Sequence, residues 1–129
     1  MTMAIAQNDV NVLAVETNDQ DFAAGTNINF KVRAEVGAAL HGTGGKYQVR
    51  MTVTDTTNPA LVDTQNITGN YGDANWPAPG LNTFSFTVPG AATAGRVGDL
   101  LEPQARLIGN AAAPFDASAV VGETVLVTP

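Results

Sequence analysis

The sequence predicts an all-β chain, folded as an antiparallel β-sandwich of about seven strands. Three observations predict it. Three windows alternate apolar and polar residues with a period of two, which places every second side chain on one face of a strand. Turn-forming residues recur between the apolar windows along the whole chain. No window sustains the period of an amphipathic helix. At 129 residues the chain suits one domain. It reads as an N-terminal arm, residues 1–9, followed by a single sandwich domain, residues 10–129. A jelly roll is the alternative architecture.

The elements follow in order. Met1, Met3 and Ile5 stand among small residues with no charge before Asp9. The segment is too apolar for a free tail and too short for a helix stable alone, so it is expected to pack on a neighbouring subunit. Val10 to Glu16 reads as a strand, and Asn18 to Asp21 as a loop. From Thr26 to Val36, residues Ile28, Phe30, Val32, Ala34 and Val36 share one side while Lys31, Arg33 and Glu35 share the other. Tyr47 to Asp55 repeats the pattern, with Tyr47, Val49, Met51 and Val53 inward. Leu61 to Thr68 carries polar residues from Asp63 to Asn66 and suits a sheet edge. Thr83 to Val88 sends Phe84, Phe86 and Val88 to one side and ends at the turn Pro89-Gly90. Leu100 to Ile108 contains Pro103, which cannot donate to a ladder and is expected to mark a bulge or a strand start near Ala105. Val120 to Thr128 closes the set as one strand. If it lies at a sheet edge, its amides invite strand addition, which makes Val125 and Val127 candidate contact residues. The expected core is Ile28, Phe30, Val32, Val49, Met51, Val53, Phe84 and Phe86.

Composition excludes several function classes. Hydrophobic residues make up 44% and charged residues 14%, too apolar for a disordered polyelectrolyte. No apolar run reaches the roughly 20 residues of a membrane-spanning helix, so no membrane partner is expected. The formal charge is −6, the wrong sign for a partner whose phosphates must be neutralised, so no nucleic-acid partner is expected. The absence of cysteine removes disulfides and thiolate chemistry. The first nine residues hold no cation and no long apolar run, so export by a signal peptide is not expected.

Catalytic chemistry finds few residues to carry it. His41 is the only histidine, and Ser85 and Ser118 are the only serines, too few for a nucleophile with its base and orienting partner. A pair of acids for glycoside hydrolysis needs a cleft that a compact sandwich scarcely offers. Gly42-Thr43-Gly44-Gly45 lacks the Lys-Ser/Thr ending of a phosphate-binding loop and reads as a turn. The expectation is a chain that is not an enzyme and needs no cofactor. Asn18, Asp19 and Asp21, and separately Asn70, Asp73 and Asn75, could offer oxygens to calcium. The same residue types nucleate turns through their own side chains, and no metal is expected. Tyr47, Tyr71 and Trp76 could stack on a sugar or a protein, or could cap one end of the core. Arg50 and Arg106 are expected on the outward face of one sheet with Gln48, Glu102 and Gln104, either solvated or docking an acidic partner.

The stretch from Phe84 to Gly90, a Gly/Ala linker and then Gly98 to Ile108 resemble the fifth and sixth strands of immunoglobulin-like and fibronectin-type domains, bacterial and phage modules in particular. The chain lacks the cysteine pair of antibody domains, and Trp76 lies outside the third strand. At this level it also looks like the decoration proteins of tailed-phage heads. The resemblance implies a non-enzymatic structural protein of the virion, made in the host cytoplasm. Its implied partners are other protein subunits, a major capsid protein and copies of itself. The alternative is a cell-surface or carbohydrate-binding β-sandwich module located outside the cell.

Overall fold

The computed structural model describes residues 9–110 and 116–129. Its strands are β1 (Val10–Glu16), β2 (Asp21–Ala23), β3 (Ile28–Val36), β4 (Lys46–Asp55), β5 (Ala60–Asn70), β6 (Gly80–Val88), β7 (Leu100–Asn110), β8 (Asp116–Val121) and β9 (Val125–Thr128). A single helical turn, α1 (Ala38–Gly42), links β3 to β4, and a 3-10 turn at Gly90–Ala92 follows β6. The strands form two sheets. One has the order β1-β3-β6; the other has the order β2-β9-β7-β4-β5, with β8 also paired to β7.

The three alternating windows become β3, β4 and β6, and their inward residues form the centre of the core. Ile28, Phe30, Val32, Val49, Met51, Val53, Phe84 and Phe86 are all buried. The β3–β6 and β4–β7 registers are continuous: Phe30 lies opposite Phe86 and Val32 opposite Phe84, while Val49 lies opposite Leu107 across the β4–β7 pair. β5 is the edge strand that its polar composition calls for.

Four expectations need correction. The sandwich is not antiparallel throughout, because β2 pairs parallel to β9 through Asp21–Leu126, Phe22–Val127 and Ala23–Thr128. That three-residue strand lies partly in the expected Asn18–Asp21 loop and is too short to show a period. The segment from Val120 to Thr128 is two strands rather than one. Gly122 breaks it: a Cβ there would collide with the Val15 carbonyl, and its N–H donates to Pro103 O at 2.9 Å. β8 therefore pairs with the distal half of β7 and β9 with its start at Leu100 and Leu101. Pro103 is neither a bulge nor a strand start, since it lies in continuous register opposite Val53. Its carbonyl, and with it the missing N–H, faces the junction where pairing passes from β8 to β9, so no ladder bond is lost. Finally, Ala38–Gly42 is helical, although five residues are too few for sequence periodicity to register.

The two sides of the sandwich differ. On one side β8 folds over the edge of β1: Val10 N donates to Asp116 Oδ2 and Val12 N to Ser118 Oγ, each at 2.9 Å. Side-chain oxygens thus cover edge amides that another chain could otherwise use. On the other side β5 and β6 are both edge strands. Gln65 of β5 reaches across, its Nε2 donating to Thr87 O of β6 at 2.5 Å. No described helix is long and apolar enough to cross a membrane.

Candidate interaction surfaces

The aromatic candidates fall inside the protein. Trp76, Tyr47 and Tyr71 are 0%, 1% and 4% exposed, which corrects the reading of Trp76 as a contact residue and removes the stacking platform. Their rings close one end of the core together with Phe84, at centroid separations of 5.2–6.0 Å. Asp73 organises this cap. Its Oδ1 accepts from Asn75 N and Trp76 N at 2.9 Å and from Tyr47 Oη at 3.0 Å, and its Oδ2 accepts from Asn70 N at 3.2 Å. Burial alone would raise the Asp73 pKa. The hydrogen bonds from Trp76, Tyr47, Asn70 and Asn75 outweigh it and hold the carboxyl below its ordinary value. The Asp73 oxygens considered for calcium thus accept from protein donors. Burial, reinforced by the Asp73 contact, pushes the Tyr47 hydroxyl well above the usual phenol value. His41 lies in α1 and is buried; its Nε2 donates to Trp76 O at 2.8 Å, tying α1 to the cap. Of the other calcium candidates, Asn18 and Asp19 are exposed between β1 and β2, while Asp21 pairs in β2.

Val125 and Val127 are also inward, 2% and 1% exposed. Their strand is not an edge, since β9 lies between β2 and β7. The strand addition expected at the C-terminal segment is corrected accordingly: β2 already occupies that side. Met1, Met3 and Ile5 lie outside the described residues.

The arginines stand where the sequence places them, on the outer face of the larger sheet. Arg50 of β4 lies directly opposite Arg106 of β7. Arg50 Nε donates to Asn66 Oδ1 at 2.9 Å, and Arg106 is exposed. The ion pairs among the described residues are Arg33–Glu16 and Arg96–Asp55, so neither of these two cations has a carboxylate partner there. Like charges directly opposite across a ladder repel.

Two features were not legible in the sequence. Asp55, at the end of β4, is buried and accepts from Thr57 N, Asn58 N and Arg96 Nη1, each at 3.0 Å. Its hydrogen bond with Asp99 pushes the Asp99 carboxyl above the ordinary carboxylate value. Asp55 itself lies below that value, because bonds from Asp99, Asn58, Arg96 and Thr57 outweigh the effect of burial. This cluster anchors the β4–β5 turn to the chain entering β7. The second feature is the open edge of β6. The Thr87 carbonyl meets Gln65, so the backbone of Thr87 faces away from β3. By the alternation of an antiparallel ladder, Ser85 and Thr83 face the same way. Among the described residues their edge groups meet no strand. Gln65 and Ile67 of β5 are half-buried beside this edge, and Ile67 packs against the core.

No family model and no curated protein matches the sequence. Solved structures match the fold. A candidate β-galactosidase from Bacteroides fragilis is similar at a TM-score of 0.55 and 15% identity, over 92% of this chain and 17% of that one. A transglutaminase from red sea bream is similar at 0.53 and 14%, over 98% of this chain and 17% of that one. The major subunit of aggregative adherence fimbriae type I from Escherichia coli gives 0.49 and 11%, over 98% of this chain and 100% of that one. The chain has an immunoglobulin-like β-sandwich fold. It spans about a sixth of the first two proteins, and at these identities the likeness is one of fold.

Proposed function

We propose that this module is a non-enzymatic structural subunit that docks onto a larger protein assembly, and specifically that it decorates a phage capsid. One observation carries the reading: the sandwich is sealed on the β1–β8 side by Asp116 and Ser118 but left open between β5 and β6. An unpaired strand edge is a template for another chain unless something blunts it. Among the described residues a single glutamine spans it. The unpaired Arg50 and Arg106 on the adjacent sheet face supply a second contact for an acidic surface. A carbohydrate-binding role would need a surface other than the buried rings of Tyr47, Tyr71 and Trp76. The test is to sediment intact particles from the source of the protein and count its copies by quantitative mass spectrometry. The reading predicts a fixed, stoichiometric number per particle. Recovery of the protein only outside particles would contradict it.

A further inference from the structure

The outer face of the larger sheet collects positive charge that its neighbours do not answer. Three of the six cationic residues, Lys46, Arg50 and Arg106, lie on it, and none takes part in either ion pair among the described residues. Lys46 and Arg50 are four residues apart on β4, and alternation turns both outward, about 13 Å from each other. Arg106 stands opposite Arg50, and among the described residues no group accepts from its guanidinium. Asn66 Oδ1 accepts from Arg50 Nε at 2.9 Å and from Gln48 Nε2 at 3.3 Å. That bond steadies Arg50 and leaves its Nη groups for another acceptor. The two guanidinium groups border a groove of about 190 Å³ whose lining includes Thr52, Gln104 and Ala119. The carboxylates of the same face stand at its other end. Glu102, whose Oε1 accepts from Gln104 Nε2 at 3.4 Å, is four residues from Arg106, and Asp21 lies beyond β9.

Like charges directly opposite across a ladder are destabilising. One carboxylate that accepts from both guanidinium groups removes the repulsion and forms charge-assisted hydrogen bonds. Resting on the assembly reading above, we infer that this face binds an extended acidic segment of the partner protein. One of its carboxylates sits between Arg50 and Arg106, a second meets Lys46, and an apolar residue midway covers Ile108. The spacing follows from the sheet. An extended segment turns every second side chain to one side, so its residues i and i+4 reach the two cationic positions about 13 Å apart and residue i+2 falls between them. There Ile108 lies opposite Gln48 and is half-buried. Ala117 and Ala119 border this stretch on β8, and both are exposed, so no long side chain on that flank holds a segment off. The net charge of −6 opposes a long polyanion, whereas a segment with two carboxylates meets the local cations first. Charge therefore favours a protein partner over a nucleic acid or an acidic polysaccharide.

Nuclear magnetic resonance titration of the isotope-labelled full chain tests this, with the terminally blocked peptide Thr-Thr-Glu-Thr-Val-Thr-Glu-Thr-Thr as the probe. Shifts are expected at Lys46, Arg50, Arg106 and Ile108, with affinity falling as salt rises. The double variant Arg50→Gln, Arg106→Gln is expected to bind more weakly by about tenfold or more, and Lys46→Gln by about two- to fivefold. Thermal melting checks folding, and relief of the arginine repulsion should leave the double variant at or above the wild-type melting temperature. A control peptide with Gln for both Glu should not bind, and it carries the test if a variant does not fold. No binding of the Glu peptide, or equal binding of the Gln control or by the folded double variant, would overturn the inference. Tighter binding of heparin than of the peptide would overturn the choice of a protein partner. The particle count stays independent. A fixed number of copies per particle with no peptide binding would overturn the inference and leave the assembly reading intact. Peptide binding by a protein found only outside particles would support the site and remove that reading.

Discussion

Tyr47 and Tyr71 bring the same hydroxyl into the same aromatic cap, yet only one of them has use for it. Tyr47 Oη donates to Asp73, whereas Tyr71 Oη is buried without a partner among the described residues. A buried polar group that loses its partner costs about 1–3 kcal/mol, while deleting one that had none costs little. Tyr47→Phe is therefore expected to lower stability by about 1–2 kcal/mol and Tyr71→Phe to be neutral or stabilising; chemical denaturation measures both. Burial, with a smaller contribution from the Asp116 charge, pushes the Tyr71 hydroxyl up to about 12, so it stays neutral through the physiological range. Asp73 supplies a pH signature. Its folded pKa lies below the unfolded value, so the stabilisation is fully present above about pH 4 and is lost as pH falls through the folded value. Asp73→Asn is expected to weaken the protein at neutral pH and to narrow its stability gap from wild type as pH drops from about 5 towards 2. Urea midpoints at several pH values follow that gap.

Among the elements, what the sequence disclosed is what side-chain periodicity can disclose. β3, β4 and β6 alternate because one face is buried and the other wet, and their inward residues are the expected core. β5 announced itself as an edge through Asp63 to Asn66. The elements that escaped are decided by contacts distant in sequence. β2 exists because Leu126 and Thr128 offer it a partner, and the break between β8 and β9 exists because Gly122 is pressed against Val15. Arg50 and Arg106 could be placed on one face from alternation alone, although their direct opposition needed the register. Trp76 could not be placed inside or outside, since its position depends on the turn that Asp73 organises. Gly122→Ala tests the break: the added methyl meets Val15 backbone, and overpacking of this kind costs about 1–3 kcal/mol. A loss in thermal melting is expected, together with faster amide exchange at Val10 and Val12, whose bonds to Asp116 and Ser118 depend on the position of β8.

At the scale of the whole molecule, the asymmetry of the sandwich governs its behaviour. Side chains from β8 close one side, β2 covers β9, and on the β5–β6 side no described strand covers the edge of β6. The sheet face carrying Arg50 and Arg106 adjoins that side through β5. If it docks an acidic surface, the double variant Arg50→Glu, Arg106→Glu should leave the melting temperature near wild type and reduce incorporation into the native assembly, most strongly at low salt. Equal incorporation would confine docking to the strand edge. Hydrogen–deuterium exchange of the free protein and of the protein within its native assembly, followed at Thr83 and Ser85, tests the claim that the open side is the joining surface most directly. These amides should exchange rapidly in the free protein and become strongly protected on assembly, while the already paired amides of β4 change little. Unchanged exchange at Thr83 and Ser85, with protection appearing only elsewhere, would contradict the account.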